Sequence, residues 1–480
     1  MDSFYSILST VGVVIAVVLL FNFMIFFHEL GHFFAARWRG LYVDRFQIWF
    51  GKPLWKKTIN GVQWGLGWIP AGGFVSLPQM APMESIEGEV DLPKDLPPIK
   101  PIDKIIVAAA GPIASFTLAA VFAVCVWVVG KPGMDFEVTT VGYIPSDSPA
   151  AASGLLPGDK ILEVDGFPVK QWVGDMVGVR ERIMMGEGDK IGFLVQRPGE
   201  TSPRLIESSF KIPDTNWWQR RALRQVGVGP ASSSIVESVL PGSPAEKAGL
   251  KTGDELTHLN GQKIWSPATV SEFAKTGQEM ELTVSRKIRN AGKEILTVRV
   301  LPVLPINWVG NQKAKPLTGI QWGMGAEFKE VTLHPTPLAQ ISMSLRWMVD
   351  TVAKVAAPKS DVGMQHLSGP VGIASYFYNI LQMPDGWKLA LWFAVVLNIN
   401  LAVLNILPIP VVDGGHVVLG FFEIIFRRPV GGRILELVQT GFVFLIMFFF
   451  LFVTFKDVGD FFKPKEEKLP PPSFVKITEK

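Results

Sequence analysis

The motif His28-Glu29-Leu-Gly-His32 lies within residues 21–36, a run in which almost every other residue is hydrophobic. Two histidines four residues apart lie on one face of a helix, so both imidazoles can bind one metal ion while Glu29 reaches a water on it. The sequence His-Glu-x-x-His is common by itself, but the apolar surroundings place this one at membrane depth. The pattern predicts a Zn²⁺ site for hydrolysis inside a lipid bilayer.

Four runs of this chain are long and apolar enough to cross about 30 Å of hydrocarbon, which takes roughly 20 helical residues. They cover about residues 7–28, 105–129, 389–412 and 437–455. Hydrophobic residues make up 48% of the 480 positions, including 33 Phe, and this is typical of membrane proteins. We therefore predict a polytopic α-helical membrane protein with four transmembrane helices.

Charge and cysteine content exclude several classes of protein. The formal net charge of +3 is small and spread along the chain, so we expect no nucleic-acid partner. The single cysteine, Cys125, excludes an internal disulfide and a cysteine-based metal site. The N-terminus carries Asp2, no basic residues and no small-residue cleavage site, so we interpret the first run as a retained anchor.

Basic residues in the short loops orient the four runs. The loop after the first run and the loop between the third and fourth both belong in the cytoplasm by this rule. Residues 131–388 and both termini then lie on the outer side. The basic residues in the two loops are Arg37, Arg39, Arg45, Lys52, Lys56, Lys57, Lys100 and Lys104, and Arg427, Arg428 and Arg433.

The outer segment contains an internal repeat. The pattern Ser148-Pro-Ala-x-x-x-Gly-Leu-x-x-Gly-Asp recurs from Ser243, and Asp165-Gly likewise recurs as Asn260-Gly, each 95 residues later. In each copy a short helix precedes a Gly-Asp turn, an apolar strand and a hairpin turn. This order resembles two tandem PDZ-like α+β domains, at 131–225 and 226–330, which would bind peptides by strand addition. Two generic β-rich domains are the alternative.

The flanking regions complete the predicted organisation. Residues 1–130 and 389–462 form the two parts of the membrane domain, and 331–388 connects the repeat to the second part. Within this connector, residues 337–357 have helical apolar periodicity together with Arg346, Asp350 and Lys354, which predicts an amphipathic helix on a domain or membrane surface. The tail 463–480 is rich in Lys, Glu and Pro and is expected to be disordered.

A catalytic zinc site needs a third protein ligand, and Asp413 is the strongest candidate. It follows the third apolar run in the sequence Asn405-Ile-Leu-Pro-Ile-Pro-Val-Val-Asp413-Gly-Gly-His416. A carboxylate beside an apolar run is costly unless it is paired or bound to metal. The two prolines and the glycine pair favour unwound backbone, which is tolerated at that depth where it lines a cavity. His416 remains a rival ligand.

Three further side chains have candidate roles in the chemistry. Glu29 is expected to act as the general base that takes a proton from the attacking water. Asn400 and Asn405 must find hydrogen-bond partners in an apolar environment. They either bond neighbouring helices or hold an extended substrate backbone beside the metal.

Taken together, these motifs make the chain similar to the site-2 protease family of intramembrane zinc metalloproteases, over essentially its whole length. The resemblance implies that His28, His32 and Asp413 bind zinc, that Glu29 activates water and that Asn405 holds substrate. It also implies a membrane-associated β-hairpin at about residues 58–78. The family usually has an asparagine where this chain has Ser115, which can still hydrogen-bond. The other segments of resemblance are Ala110-Gly-Pro, the repeat, Ser368-Gly-Pro-Val-Gly-Ile-Ala and residues 405–415.

The resemblance further implies a location and a substrate class. The protein would lie in the bacterial inner membrane as a monomer, with the PDZ-like domains and both termini periplasmic and the zinc near the cytoplasmic side. Substrates would be single-span proteins already shortened by another protease, such as a membrane-anchored anti-sigma factor, and leftover signal peptides. The alternatives are a membrane-anchored PDZ scaffold with a vestigial metal site and a zinc or ion transporter, which would usually have repeated membrane halves.

Overall fold

The computed structural model describes residues 2–80, 96, 99–135, 137–174, 177–288, 292–311, 313–323, 325, 329–428, 432–462 and 469–475. The chain divides into two compact units. The membrane unit comprises Met1–Pro132, Thr332–Val352 and Leu367–Val458. The β unit comprises Gly133–Val331, Ala353–His366 and Gly459–Lys480.

The helices are α1 (Asp2–Arg39), α2 (Pro101–Val129), α3 (Pro149–Ser153), α4 (Val179–Met184), α5 (Pro244–Lys247), α6 (Pro267–Ala274), α7 (Pro337–Ala356), α8 (Pro370–Leu381), α9 (Gly386–Ile406), α10 (Asp413–Phe426) and α11 (Gly432–Phe461). The strands are β1 (Arg45–Phe50), β2 (Trp55–Ile59), β3 (Val62–Leu66), β4 (Ile69–Ser76), β5 (Lys131–Asp135), β6 (Val141–Tyr143), β7 (Lys160–Val164), β8 (Phe167–Pro168), β9 (Ile191–Gln196), β10 (Arg204–Ser208), β11 (Gly229–Pro230), β12 (Ser234–Val239), β13 (Glu255–Leu259), β14 (Gln262–Lys263), β15 (Met280–Ile288), β16 (Gly292–Val300), β17 (Ile320–Trp322) and β18 (Lys329–Leu333). Short 3₁₀ turns occur at Ile306–Trp308 and Met364–His366.

Four helical stretches of the described chain are long and apolar enough to cross a membrane: Thr10–Arg39, Pro101–Val129, Gly386–Ile406 and Leu435–Asp460. They coincide with the four predicted runs, but the third helix ends at Ile406 and does not continue to residue 412. Pro408 and Pro410 lack the backbone N–H that a helix needs, so the chain turns and Asp413 begins α10. A Cβ on Gly414 would collide with the carbonyl groups of Ile406 and Leu407, so this tight turn requires glycine.

Small residues allow the helices of the membrane unit to approach closely. α2 packs against α1, α9 and α10. At the α1–α2 contact, a Cβ on Gly31 would lie only 2.7 Å from the Cβ of Ala114. Glycine at such a contact brings two backbones together in an apolar environment. α2 is therefore the helix on which α1, α9 and α10 are arranged.

Residues 45–76 form a four-stranded sheet in the order β2-β3-β1-β4. β1 is parallel to β3 and antiparallel to β4, so β3 and β4 are not neighbours. The hairpin of this sheet is β2–β3, closed by Asn60 and Gly61 with φ of 49° and 79°, and it overlaps the first part of the region 58–78 in which a β-hairpin is expected. The chain then crosses the end of β1 at Gly67, where a Cβ would collide with the carbonyl groups of Trp49 and Phe50. Among the described residues β4 is an edge strand.

The β unit contains two lobes with separate hydrophobic cores. The first β lobe has the sheet β10-β9-β7-β8 and a core between Val141 and Val226. The second β lobe has the sheet β16-β15-β13-β12-β17, with β14 on β13, and a core between Val236 and Val300. The strand β11, which lies between the two lobes in the sequence, pairs with β6.

The residues of the internal repeat play the same local parts in both lobes. Ser148 and Ser243 each cap a short helix, accepting a backbone N–H three residues later. The Asp165-Gly and Asn260-Gly turns have positive φ at both positions, as a two-residue hairpin of type I′ requires. In each lobe the aspartate of the Gly-Asp turn accepts a bidentate pair of hydrogen bonds from an arginine; the pairs are Asp159 with Arg197 and Asp254 with Arg286.

The predicted amphipathic helix is present as α7, and its two buried residues, Gln340 and Ser344, are polar. Gln340 is fully buried and donates a hydrogen bond to the Ala123 carbonyl at 2.9 Å. Leu338 and Val349, by contrast, are 76% and 66% exposed. The exposed apolar side suits a helix that lies on a membrane surface. α8, the second helix of this region, was not predicted.

Residues 469–475 of the tail are described and lie on the second β lobe. The side chain of Phe474 is 9% exposed. The remaining residues of the tail predicted to be disordered, 463–468 and 476–480, lie outside the described part of the chain. Burial of the Phe474 ring offsets the entropic cost of ordering residues 469–475.

A buried ion pair between α2 and α10 generates a prediction about stability. Lys104 Nζ lies 2.9 Å from Glu423 Oε1, and the two side chains are 13% and 7% exposed. The substitution Glu423→Gln leaves the ammonium group without an anionic partner, and we expect it to lower the free energy of unfolding by about 3–5 kcal/mol. Unfolding by SDS titration of the purified protein measures this change.

The control is Glu207→Gln, which removes an exposed partner of Lys190 and is expected to leave unfolding unchanged. The double substitution Lys104→Met/Glu423→Gln should recover most of the loss, because neither charge is then buried alone. Equal unfolding of Glu423→Gln and Glu207→Gln would contradict a structural role for the buried pair.

Candidate metal centre

Three side chains from two separate helices meet in the membrane unit. Asp413 Oδ2 lies 3.1 Å from His28 Nε2, and Asp413 Oδ1 lies 3.3 Å from His32 Nε2. The two Nε2 atoms are 3.3 Å apart. All the potential ligand atoms of this cluster lie within 4.8 Å of one another. The helical spacing of four residues supplies the two imidazoles, and the break before α10 supplies the carboxylate.

Hydrogen bonds from α2 fix the orientation of both imidazoles. His32 Nδ1 is 2.8 Å from the Val107 carbonyl oxygen, and His28 Nδ1 is 3.0 Å from Ser115 Oγ. A carbonyl oxygen can only accept, so His32 carries its proton on Nδ1 and directs the Nε2 lone pair at the carboxylate. A hydrogen bond to the second ring nitrogen orients a metal-binding histidine in this way. The Val107 carbonyl does this for His32, and Ser115 does it for His28.

This donor set fits a metal ion and is unfavourable without one. Two nitrogen lone pairs and a carboxylate face one another at 3.1–3.3 Å in a buried site. Asp413 Oδ2 is buried and has no hydrogen-bond partner within the described residues. A divalent cation would convert this repulsion into coordination, and two imidazoles with one carboxylate are a ligand set of catalytic zinc sites.

Gly111 of α2 provides the room for the two imidazoles. A Cβ on this residue would lie 2.6 Å from His32 Cε1 and 2.8 Å from His28 Nε2. No larger residue fits there with both rings in place. The helix α2 thus contributes no side chain to the cluster, but it sets the positions of the His28 and His32 imidazoles.

A cavity of about 400 Å³ opens on the cluster. Glu29 and Asn405 line it beside the three ligand candidates, and Asn405 Nδ2 is 3.4 Å from His28 Nε2. His416 also lines the cavity, and its Nδ1 is buried with no hydrogen-bond partner in the part of the chain that is described. Asn400 is not among the described residues that line it, and its Oδ1 is buried and unpaired within that same part.

The structure therefore brings together His28, Glu29, His32, Asp413 and Asn405, and leaves Asn400 outside the cavity. His416, the rival third ligand, is not part of the cluster of ligand atoms that the described residues form.

The strand β4 lies within the region 58–78 that the resemblance implies to be a β-hairpin, and its residues 72–75 form one wall of the cavity. Gly73 of this strand lies beside Glu29: a Cβ there would be 3.7 Å from Glu29 Cγ.

Comparisons with known proteins agree with this geometry. The model of peptidase family M50 matches residues 16–449. A Neisseria meningitidis protein named as a zinc metalloprotease is 31% identical over 90% of this chain and 95% of its own length. The regulator of sigma-E protease RseP of Escherichia coli is 28% identical over 88% of this chain and 92% of its own, and the protease RseP of Yersinia pestis is 27% identical over 90% and 95%.

The space at Gly111 generates a prediction about metal content. We expect Gly111→Ala to remove most of the bound zinc, because its methyl group would displace both imidazoles. The matched control is Gly441→Ala in α11, where a Cβ meets nothing within 4 Å. Zinc per chain, measured by mass spectrometry on purified protein, should fall only in the first variant. Full zinc content in Gly111→Ala would show that the imidazoles are not held as described.

Proposed function

This chain belongs to peptidase family M50 and is an intramembrane zinc metalloprotease, and we propose that His28, His32 and Asp413 hold its Zn²⁺ while Glu29 acts as the general base. The observation that carries this proposal is the meeting of three ligand atoms within 4.8 Å beside a glutamate in one cavity. Bound Zn²⁺ supplies Lewis-acid polarisation of a carbonyl and lowers the pKa of a water toward about 7.

The side chains of the cavity divide the remaining work. Glu29 takes a proton from the attacking water and returns it to the leaving amine, which a carboxylate within hydrogen-bond reach of both can do. Ser115 and the Val107 carbonyl keep the imidazoles oriented throughout the reaction. Because the cavity walls are largely apolar, water reaches the peptide bond only where these polar groups bind it.

We propose that the substrate lies as an extended strand along β4. A transmembrane helix shields its own peptide bonds, so it must unwind before one of them can be attacked. Among the described residues β4 is an edge of its sheet and borders the cavity, so an unwound segment could add to this edge by backbone pairing. The side-chain amide of Asn405 would hold the same segment from the opposite wall.

The cellular setting remains part of the proposal. The loop charges support a location of the zinc site near the cytoplasmic side of the bacterial inner membrane, with the β unit and both termini in the periplasm. The named functions of the RseP relatives support an anti-sigma factor, shortened beforehand by another protease, as a substrate. Leftover signal peptides are a second class of single-span substrate, and we propose that the enzyme acts as a monomer.

We propose that the two β lobes are PDZ-like domains that restrict access to the membrane site. Their matching capped helices, Gly-Asp turns and hairpin turns support a duplicated fold. A substrate that retains a large outer domain would be excluded by them, whereas a shortened one would pass. The boundaries at residues 131–225 and 226–330 belong to the same proposal.

The decisive experiment is the substitution Glu29→Gln. It keeps the shape of the side chain but removes the base, so we expect cleavage at least about 100-fold slower with unchanged zinc content. The assay is co-expression with single-span proteins whose N-terminus is cytoplasmic and whose outer domain has been truncated, with detection of the fragment cut at membrane depth.

Substrate processing by the unchanged protein and by Glu29→Gln distinguishes the alternatives. A scaffold with a vestigial site would process no substrate in either form of the protein. Equal processing by the unchanged protein and by Glu29→Gln would reject Glu29 as the base. The family match over residues 16–449 already argues against a transporter.

A second prediction separates the two asparagines of α9. Asn405→Ala should lower kcat/KM roughly fivefold or more, because it removes a hydrogen bond to the extended substrate. Asn400→Ala is the matched comparison and should have a smaller effect, since Asn400 does not line the described cavity. Kinetics on a purified single-span substrate measure both. A larger loss in Asn400→Ala would reverse the assignment.

A further inference from the structure

The C-terminal segment 469–475 binds to the 3₁₀ turn Ile306–Trp308 of the second β lobe. The Ile306 N–H donates to the Ser473 carbonyl at 2.8 Å. In return, the Ser473 N–H donates to Asn307 Oδ1 at 2.9 Å. Both backbone groups of Ser473 are therefore paired with this turn, as they would be in a strand bound by its partner.

Two of the three prolines before Ser473 are bound in a way that suits proline. Asn307 Nδ2 donates to the Pro471 carbonyl and Trp308 Nε1 donates to the Pro470 carbonyl, each at 2.8 Å. Proline has no N–H, so the backbone of a run of prolines offers only hydrogen-bond acceptors. Here the side chains of Asn307 and Trp308 supply the two donors. An aromatic residue and hydrogen-bond donors aimed at the carbonyls are what proteins use to bind the preformed extended helix of a proline-rich peptide.

Phe474 anchors the end of this segment. Its side chain is 9% exposed, whereas Val475 next to it is 51% exposed. Two glycines allow the approach: a Cβ on Gly319 would lie 3.3 Å from the Phe474 ring, and one on Gly242 would lie 3.2 Å from its carbonyl oxygen. Both glycines have positive φ, at 83° and 73°, so the loops that form this pocket also depend on them.

The chain that leads to this segment is itself held on the β unit. At the end of α11, Asp460 Oδ2 lies 3.2 Å from Arg220 Nη1. Gly459 packs so closely on the Trp218 carbonyl that a Cβ would collide with it. Residues 459 and 460 are thus held on the segment 216–220, and residues 470–474 are held on the second β lobe.

We propose that Ile306–Trp308, with Gly242 and Gly319, forms a binding site for an extended proline-rich peptide that ends in an aromatic residue, and that the chain's own residues 470–475 occupy it in cis. Occupied, it holds residues 470–475 on the second β lobe.

A short tether keeps the site filled. The segment belongs to the same chain as the site, so its effective concentration there is on the order of millimolar, and a free peptide must compete against that value. A competing proline-rich peptide would displace residues 470–475 from the site, and loss of the Phe474 side chain would do the same. This inference concerns the β unit and does not depend on the proteolytic activity proposed above.

The test uses the full chain in detergent and a fluorescent synthetic peptide of residues 469–475, with binding measured by anisotropy. We expect full-length Phe474→Ala and a chain ending at residue 468 to bind the peptide. The unchanged chain should bind it at least about tenfold more weakly, because its own tail competes. A peptide carrying Phe474→Ala should lose at least about tenfold in affinity for the opened site.

A donor substitution locates the site. Added to Phe474→Ala, Trp308→Phe keeps the aromatic surface but removes the N–H, and should weaken peptide binding roughly fivefold. The matched control Trp217→Phe changes an indole that is 75% exposed and should have no effect. The proposal is overturned if the opened chains do not bind the peptide, if the unchanged chain binds it equally well, or if Trp308→Phe and Trp217→Phe behave alike.

Discussion

The mutual approach of two imidazole nitrogens and a carboxylate in an apolar region is the constraint on which this structure depends. At separations of 3.1–3.3 Å, a carboxylate and the lone pairs of two neutral imidazoles repel one another. A bound cation makes the arrangement favourable, and burial strengthens that attraction because the local dielectric is low. Zinc binding and the packing of α1, α2 and α10 are therefore expected to stabilise one another.

The helix that enforces this arrangement carries none of the ligands. α2 leaves room for the imidazoles at Gly111, bonds them through Ser115 and the Val107 carbonyl, and holds α10 through Lys104. In an apolar environment no hydrophobic force drives helices together, so close contacts at small residues and hydrogen bonds carry the association. The same contacts thus assemble the membrane unit and orient its site.

Polar backbone at membrane depth is the second cost that the fold must meet. The helix is interrupted between α9 and α10, and among the described residues β4 forms an edge of its sheet. Both border the same cavity, where water or an unwound substrate can satisfy them. Features that would be unfavourable facing lipid are thereby confined to the place where the proposed chemistry requires them.

The sequence alone determined the four apolar helices, the metal motif and the duplicated β lobes, because each depends on local hydrophobicity or on residue spacing along one element. It also pointed to Asp413, since a carboxylate between prolines and glycines in an apolar region needs a partner. Only the tertiary structure decided that Asn405 and not Asn400 lines the cavity, because a helix can turn either residue toward its neighbours. The order of β3, β1 and β4 and the burial of Phe474 were likewise decided by contacts between residues distant in the chain, which no local pattern encodes.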